Sequence, residues 1–68
     1  MKFDDAKKLS KEGHIVARTH WDNKYLTIET AYEVPYVCRP QGGSKLLSYL
    51  TAEDVNADDW TVRETQYH

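Results

Sequence analysis

Ala17-Arg18-Thr19-His20-Trp21-Asp22-Asn23-Lys24-Tyr25-Leu26 holds one of the chain's two tryptophans together with an arginine, a histidine, a lysine and a tyrosine. Asp and Asn side chains bond the local backbone and tolerate left-handed conformations, so Asp22-Asn23 reads as a turn. The flanks, residues 14–20 and 24–30, alternate or are rich in β-branched residues, which predicts two strands joined as a hairpin. In the first, residues 15, 17, 19 and 21 share one face and 14, 16, 18 and 20 the other. In the second, Leu26 and Ile28 face the core. A hairpin end carrying Trp, Tyr and Arg suits something flat or anionic. It is also the composition of an ordinary small sheet, whose aromatics are mostly core.

Upstream, residues 3–13 read as a short helix. Phe3, Ala6 and Leu9 recur every third residue and make a narrow apolar stripe. Asp4 is the expected N-cap, and Asp4 and Asp5 suit the positive end of the helix dipole. Gly13 supplies the left-handed residue that ends the helix. Lys7, Lys8 and Lys11 form its solvated face. A helix this short needs a sheet to pack on.

Downstream, residues 31–33 make an irregular join and residues 34–39 a third strand, with Pro35 at its start because proline cannot donate to a ladder. Pro40-Gln41-Gly42-Gly43-Ser44 is a hairpin loop, and residues 45–50 are a fourth strand. Thr51-Ala52-Glu53-Asp54 carries the helix-capping spacing of a hydroxyl followed three later by an acid. A helical turn over residues 52–56 and a return over 57–59 lead to a last strand, residues 60–64, with Trp60 and Val62 inward. Residues 65–68 read as a frayed polar tail. The expected architecture is α+β: one domain over residues 1–68, with an antiparallel sheet of about five short strands, an N-terminal helix, and a short helical turn before the last strand.

Sixty-eight residues leave no room for a second core. A formal net charge of −2 lacks the basic excess of a nucleic-acid-polymer binder. It leaves room for a small anionic ligand held by a local cluster. The single cysteine, Cys38, cannot close an intramolecular disulfide, which fits a reducing compartment. No apolar run approaches the ~20 residues of a membrane span, and the acidic N-terminus is unlike a signal peptide. A cytoplasmic protein without a membrane partner is expected.

Arg18 and Arg39 are the candidates for phosphate, since a guanidinium fork matches phosphate oxygens and keeps its charge. The competing reading is a surface arginine paired with Glu29 or Glu33. Tyr25 and Tyr36 offer flat rings with hydroxyls, or else plain sheet packing. Trp60, in phase with Val62, reads as core. His14 and His20, on one strand, lie roughly 20 Å apart and cannot share an ion. Cys38 has no neighbour at zinc spacing, so no metal and no cofactor is expected. The adjacent acids Asp4-Asp5 and Asp58-Asp59 point to opposite faces if extended and make poor acid–base pairs.

The run Phe3-Asp4-Asp5-Ala6, then Lys11-Glu12-Gly13, Val16-Ala17-Arg18 and Trp21, resembles the opening of a family of small phage and bacterial domains. Val34-Pro35-Tyr36-Val37 before a glycine loop and residues 51–60 resemble its middle and its ending. This family includes the second type of Thoeris anti-defence protein, and the resemblance covers residues 3–62. It implies a non-enzymatic sponge that sequesters a cyclic nucleotide-type immune signal, either a cyclic ADP-ribose isomer or a cyclic oligonucleotide. It also implies a homo-oligomer, dimer or tetramer, with pockets where subunits meet. Trp21 then matches a family tryptophan that can stack on a base, and Thr51 and Asp54 match the closing motif, where a hydroxyl and a carboxylate can meet phosphate and ribose. The alternative for Thr51 and Asp54 is that they only cap the helix. The expected ligand-binding set is Arg18, Trp21, Tyr25, Tyr36, Arg39, Thr51 and Asp54. The chain departs from the family pattern at Ser48, where a tryptophan is expected, at Ala52, and at Val55-Asn56. Losing an aromatic at Ser48 motivates the alternative of a small phage protein that binds and inhibits a host protein, since exposed Tyr, Trp and Arg also suit protein interfaces.

Overall fold

The N-terminal helix forms where the apolar stripe places it. A computed structural model describes residues 1–63 and sets α1 at Phe3–Lys11, with Phe3 and Ala6 buried and Leu9 packed on the core. Its cap differs from expectation. Lys2 is the N-cap and gives no side-chain bond, while Asp4 lies inside the first turn, where it still meets the positive dipole. The C-terminus closes as a Schellman motif. The His14 N–H donates to the Leu9 carbonyl at 3.0 Å and the Gly13 N–H to the Ser10 carbonyl at 3.1 Å. Gly13 sits at φ +103°, which a side chain would resist.

Five strands follow, all antiparallel: β1 Val16–Arg18, β2 Tyr25–Ile28, β3 Pro35–Gln41, β4 Ser44–Tyr49 and β5 Trp60–Val62. A second helix, α2 at Ala52–Asn56, lies between β4 and β5. The α+β architecture is therefore as expected, but the strands divide between two sheets, β1–β5 and β2–β3–β4. The hairpin expected across Asp22-Asn23 does not form. Arg18 pairs with Trp60, and the Trp21 N–H donates back to the Arg18 carbonyl at 3.0 Å, so the chain turns before it can reach β2. The Arg63 guanidinium donates to the carbonyls of Thr19 and Trp21 and so holds the crossing segment against β5. Asn23 takes the left-handed conformation, φ 56°, that its side chain tolerates.

β1 is shorter than expected and is buried on both faces, so Val16, Ala17 and Arg18 are all buried and no alternation shows. The core gathers Phe3, Ala6, Val16, Ala17, Trp21, Leu26 and Trp60, with Ile28 and Val37 packed against it. Trp60 is its centre. Its ring meets Phe3 at 5.7 Å and Trp21 edge-on at 5.0 Å, a favourable T-shaped pairing. Val62, expected inward, is exposed at the end of the three-residue β5, although its partner Val16 is buried. The expected strand residue Glu64 and the tail, residues 65–68, lie outside the described residues.

The glycine connection is tighter than a five-residue loop. Only Gly42 and Gly43 turn, at φ 52° and 84°, while Pro40, Gln41 and Ser44 belong to the strands. Two consecutive residues at positive φ match the twist of flanking strands, which favours this turn. Pro40 is tolerated inside β3 because β2 ends opposite Cys38 and leaves that flank of β3 without a strand.

Candidate functional site

β3 and β4 present alternate residues to two faces. Cross-strand partners share a face, so Val37 with Ser48 and Arg39 with Leu46 look one way, while Tyr36 with Tyr49 and Cys38 with Leu47 look the other. On the first face, beyond the end of the core, a groove of about 370 Å³ opens between the sheet and the start of α2. Lys24, Arg39 and Gln41 stand on it together with Val37, Leu46 and Ser48, and Thr51 and Asp54 close its α2 end.

Three of the expected residues, Arg39, Thr51 and Asp54, are thus brought together. Arg39 is exposed and, among the described residues, forms no ion pair. Thr51 and Asp54 form a full capping box. The Asp54 N–H donates to Thr51 Oγ1 at 3.2 Å and the Thr51 N–H donates to Asp54 Oδ2 at 3.2 Å. The Thr51 hydroxyl, accepting there, still has its own proton to donate.

Arg18 and Trp21 go elsewhere. Arg18 is only 8% exposed. Its Nη1 donates to Asp54 Oδ1 at 2.8 Å and to Glu53 Oε1 at 3.3 Å, and its Nε donates to Asp59 Oδ1 at 2.9 Å. The guanidinium is therefore spent on carboxylates behind the groove. The hydrogen bonds it donates to Asp59 and Asp54 hold its pKa well above the ordinary arginine value. Burial pushes the Asp54 carboxyl up, but hydrogen bonds from Arg18 and Thr51 outweigh it and leave Asp54 below the usual carboxylate range. The Arg18 hydrogen bond lowers Asp59 too. Trp21 is only 5% exposed and offers no open ring face for stacking; Lys24 Nζ lies 5.1 Å from its centroid.

Tyr25 and Tyr36 line a separate depression of about 300 Å³ on the opposite face of the sheet, with Thr27, Cys38 and Leu47. The Tyr36 ring sits 5.3 Å from that of Tyr49, and burial, then the neighbouring Tyr49, raises the Tyr36 pKa. The seven expected residues therefore fall in three places, not around one rim.

Lys24, Gln41 and Leu46 were missed by sequence reasoning. Alternation from Arg39 would have found Gln41, and counting back across the two-residue glycine turn would have set Leu46 opposite Arg39. Lys24 carries no such signal, since it lies just before β2. Among the described residues no three His, Cys, Asp or Glu side chains converge as metal ligands, and no helix is long and apolar enough to cross a membrane.

A family model described as Tad2-like, a Thoeris anti-defense 2-like domain, matches residues 1–63. No curated protein and no solved structure matches the chain.

Proposed function

We propose a function from one premise: the chain belongs to the Tad2-like, or Thoeris anti-defense 2-like, domain family. It acts in the host cytoplasm as a non-enzymatic phage anti-defence protein that binds and sequesters a cyclic nucleotide-type immune signal, a cyclic ADP-ribose isomer or a cyclic oligonucleotide. The observation that carries this reading is the groove on which the exposed Arg39 stands. Its one carboxylate, Asp54, is already neutralised by Arg18 from behind. That leaves the exposed Arg39 guanidinium as a local positive charge on a chain of net charge −2, which suits phosphate.

In this reading Arg39 takes phosphate oxygens and the Thr51 hydroxyl donates to one of them. Val37 and Leu46 offer apolar walls to a base. Arg18, Trp21 and Asp54 hold the wall in place, and Tyr25 and Tyr36 lie outside the pocket. Ser48, where the family resemblance expects a tryptophan, falls on the same groove, which ties the departure to ligand choice. Asp54 is committed to Arg18 and to the helix cap, which suits holding a ligand and not moving a proton.

The test is a thermal-shift panel of cyclic ADP-ribose isomers and cyclic di- and trinucleotides, with linear ADP-ribose as control. Ligand at ~100 times its Kd stabilises the fold by about 2.7 kcal/mol, a shift of many degrees in a domain this small. Recovery of the intact ligand after heat denaturation separates sequestration from turnover. A flat panel from folded protein sinks the reading and leaves the inhibitor of a host protein in its place.

A further inference from the structure

The Arg39 groove has two chemically different ends. β4 leads through Leu50 into Thr51 and α2, so Ser48 lies near the helix. Gln41, paired with Ser44, lies at the far end beside the Gly42-Gly43 turn. Arg39 stands between them, opposite Leu46. The helix end offers the hydroxyls of Thr51 and Ser48, and its one carboxylate, Asp54, is held by Arg18. The turn end offers one amide, Gln41, and the half-exposed Leu46. Arg39, Gln41 and Ser48 are exposed, and among the described residues their side chains make no hydrogen bond or ion pair.

We infer that the groove takes one adenine nucleotide unit lengthwise, with its phosphate among Arg39, Ser48 and Thr51 and the N7 edge of its base on Gln41. This deepens the proposed function and rests on it for the placing of the ligand in this groove. A guanidinium and two hydroxyls all donate to an anion, which sets the phosphate at the helix end. Leu46 is the apolar surface on which the base lies. Arg39 and Gln41 are alternate residues on one strand face, about 6.6 Å apart along the backbone. In an anti nucleotide the purine edge nearest the 5′-phosphate is the one that carries N7 and the group on C6, so that edge falls to Gln41. A glutamine amide sets an acceptor beside a donor. Adenine answers with its N6 amino group and N7, which gives two hydrogen bonds. Guanine and hypoxanthine present two acceptors there, O6 and N7, and Gln41 Oε1 then faces an acceptor whichever way the amide is turned. Gln41 is therefore the specificity-determining residue of the groove, and it selects adenine over the 6-oxopurines.

The experiment titrates the full chain with 5′-AMP, 5′-IMP, 7-deaza-AMP and ribose 5-phosphate at millimolar concentrations and follows backbone amide shifts by NMR. AMP is expected to move the amides of Arg39, Gln41 and Thr51 and to bind at least about fivefold more tightly than IMP or 7-deaza-AMP. Gln41 is exposed, so Q41L folds, which circular dichroism checks. In Q41L the affinity for AMP is expected to fall to within about twofold of that for IMP, with ribose 5-phosphate unaffected. R39A is expected to weaken all four probes alike. Equal affinity of the wild type for AMP and IMP overturns the inference, and so does a preference that survives in Q41L or an AMP-like affinity for 7-deaza-AMP. If ribose 5-phosphate still binds and still depends on Arg39, the proposed function stands without its adenine selectivity. Silence with all four probes overturns the inference as well, and the thermal-shift panel then decides the proposed function by itself.

Discussion

Arg18 donates to Asp54 at 2.8 Å, and the same Asp54 carboxylate accepts the N–H of Thr51. One acid thus couples the buried β1 strand to the helix start that closes the groove. The link spans 36 residues of sequence and joins the two-stranded sheet to α2.

Removing the cation from this network leaves Asp54 buried without its partner. Breaking a buried pair from one side costs about 3–5 kcal/mol, because the remaining charge is uncompensated. Glu53 is far more exposed and adds little. Arg18→Ala is therefore expected to destabilise the domain by about 3 kcal/mol in urea unfolding. Arg18→Lys recovers only part of this, since one ammonium cannot reproduce the fork between Asp54 and Asp59. A loss below about 1 kcal/mol for Arg18→Ala contradicts the assignment of Arg18 as a structural cation.

Acid should act on the same network. Asp54 and Asp59 both titrate below their ordinary range when folded. Groups of this sign stabilise the fold above the unfolded carboxylate pKa of about 3.9 and lose that contribution as pH falls through the folded value. The arginine shift is upward, and its contribution is fully present throughout this range. Melting temperature is expected to hold steady near neutrality and to fall with acid from about pH 5 downward. In Asp54→Asn the fall is shallower from a lower starting point. An equal slope in both proteins places the acid sensitivity elsewhere.

The binding reading separates the two sheet faces. Arg39 is exposed and its loss should change stability by no more than about 0.5 kcal/mol. A charged hydrogen bond to phosphate is worth about 1.5–3 kcal/mol, so Arg39→Ala is expected to weaken ligand binding roughly 10- to 100-fold by calorimetry. Tyr36→Ala, on the other face, is expected to leave the affinity within about twofold. The reverse ranking moves the site to the Tyr25–Tyr36 depression.

The local elements were readable because each has a short-range cause: the stripe Phe3, Ala6, Leu9 for α1, the Thr51–Asp54 spacing for the cap, and the glycine pair for the β3–β4 turn. The pairing of β1 was not. Three residues buried on both faces show no period, and their partners Trp60–Val62 lie more than forty residues away. The same distance hid the role of Arg18. Its carboxylates stand at 53, 54 and 59, and nothing near position 18 distinguishes a ligand-binding arginine from one locked in the interior. The face of Arg39 was readable because it stands on a regular strand of a local hairpin, where alternation decides which way it looks.

That hairpin sets how β4 is presented, and its turn is testable. No neighbour lies within 4 Å of a side chain built at Gly42 or Gly43, so any cost of substitution is in the backbone. Both residues sit at positive φ, where asparagine is tolerated and a β-branched residue is not. Gly42→Asn is expected to change the urea midpoint little. Gly43→Val is expected to cost about 1–2 kcal/mol, the penalty for left-handed backbone with a Cβ. It should also loosen the register that sets Leu46 opposite Arg39 and Ser48 opposite Val37. Amide exchange of β4 then rises while that of Val16–Arg18 stays slow, since β1 and β5 form the separate sheet. Equal acceleration in both sheets would show that the two unfold together and that the hairpin has no independent opening.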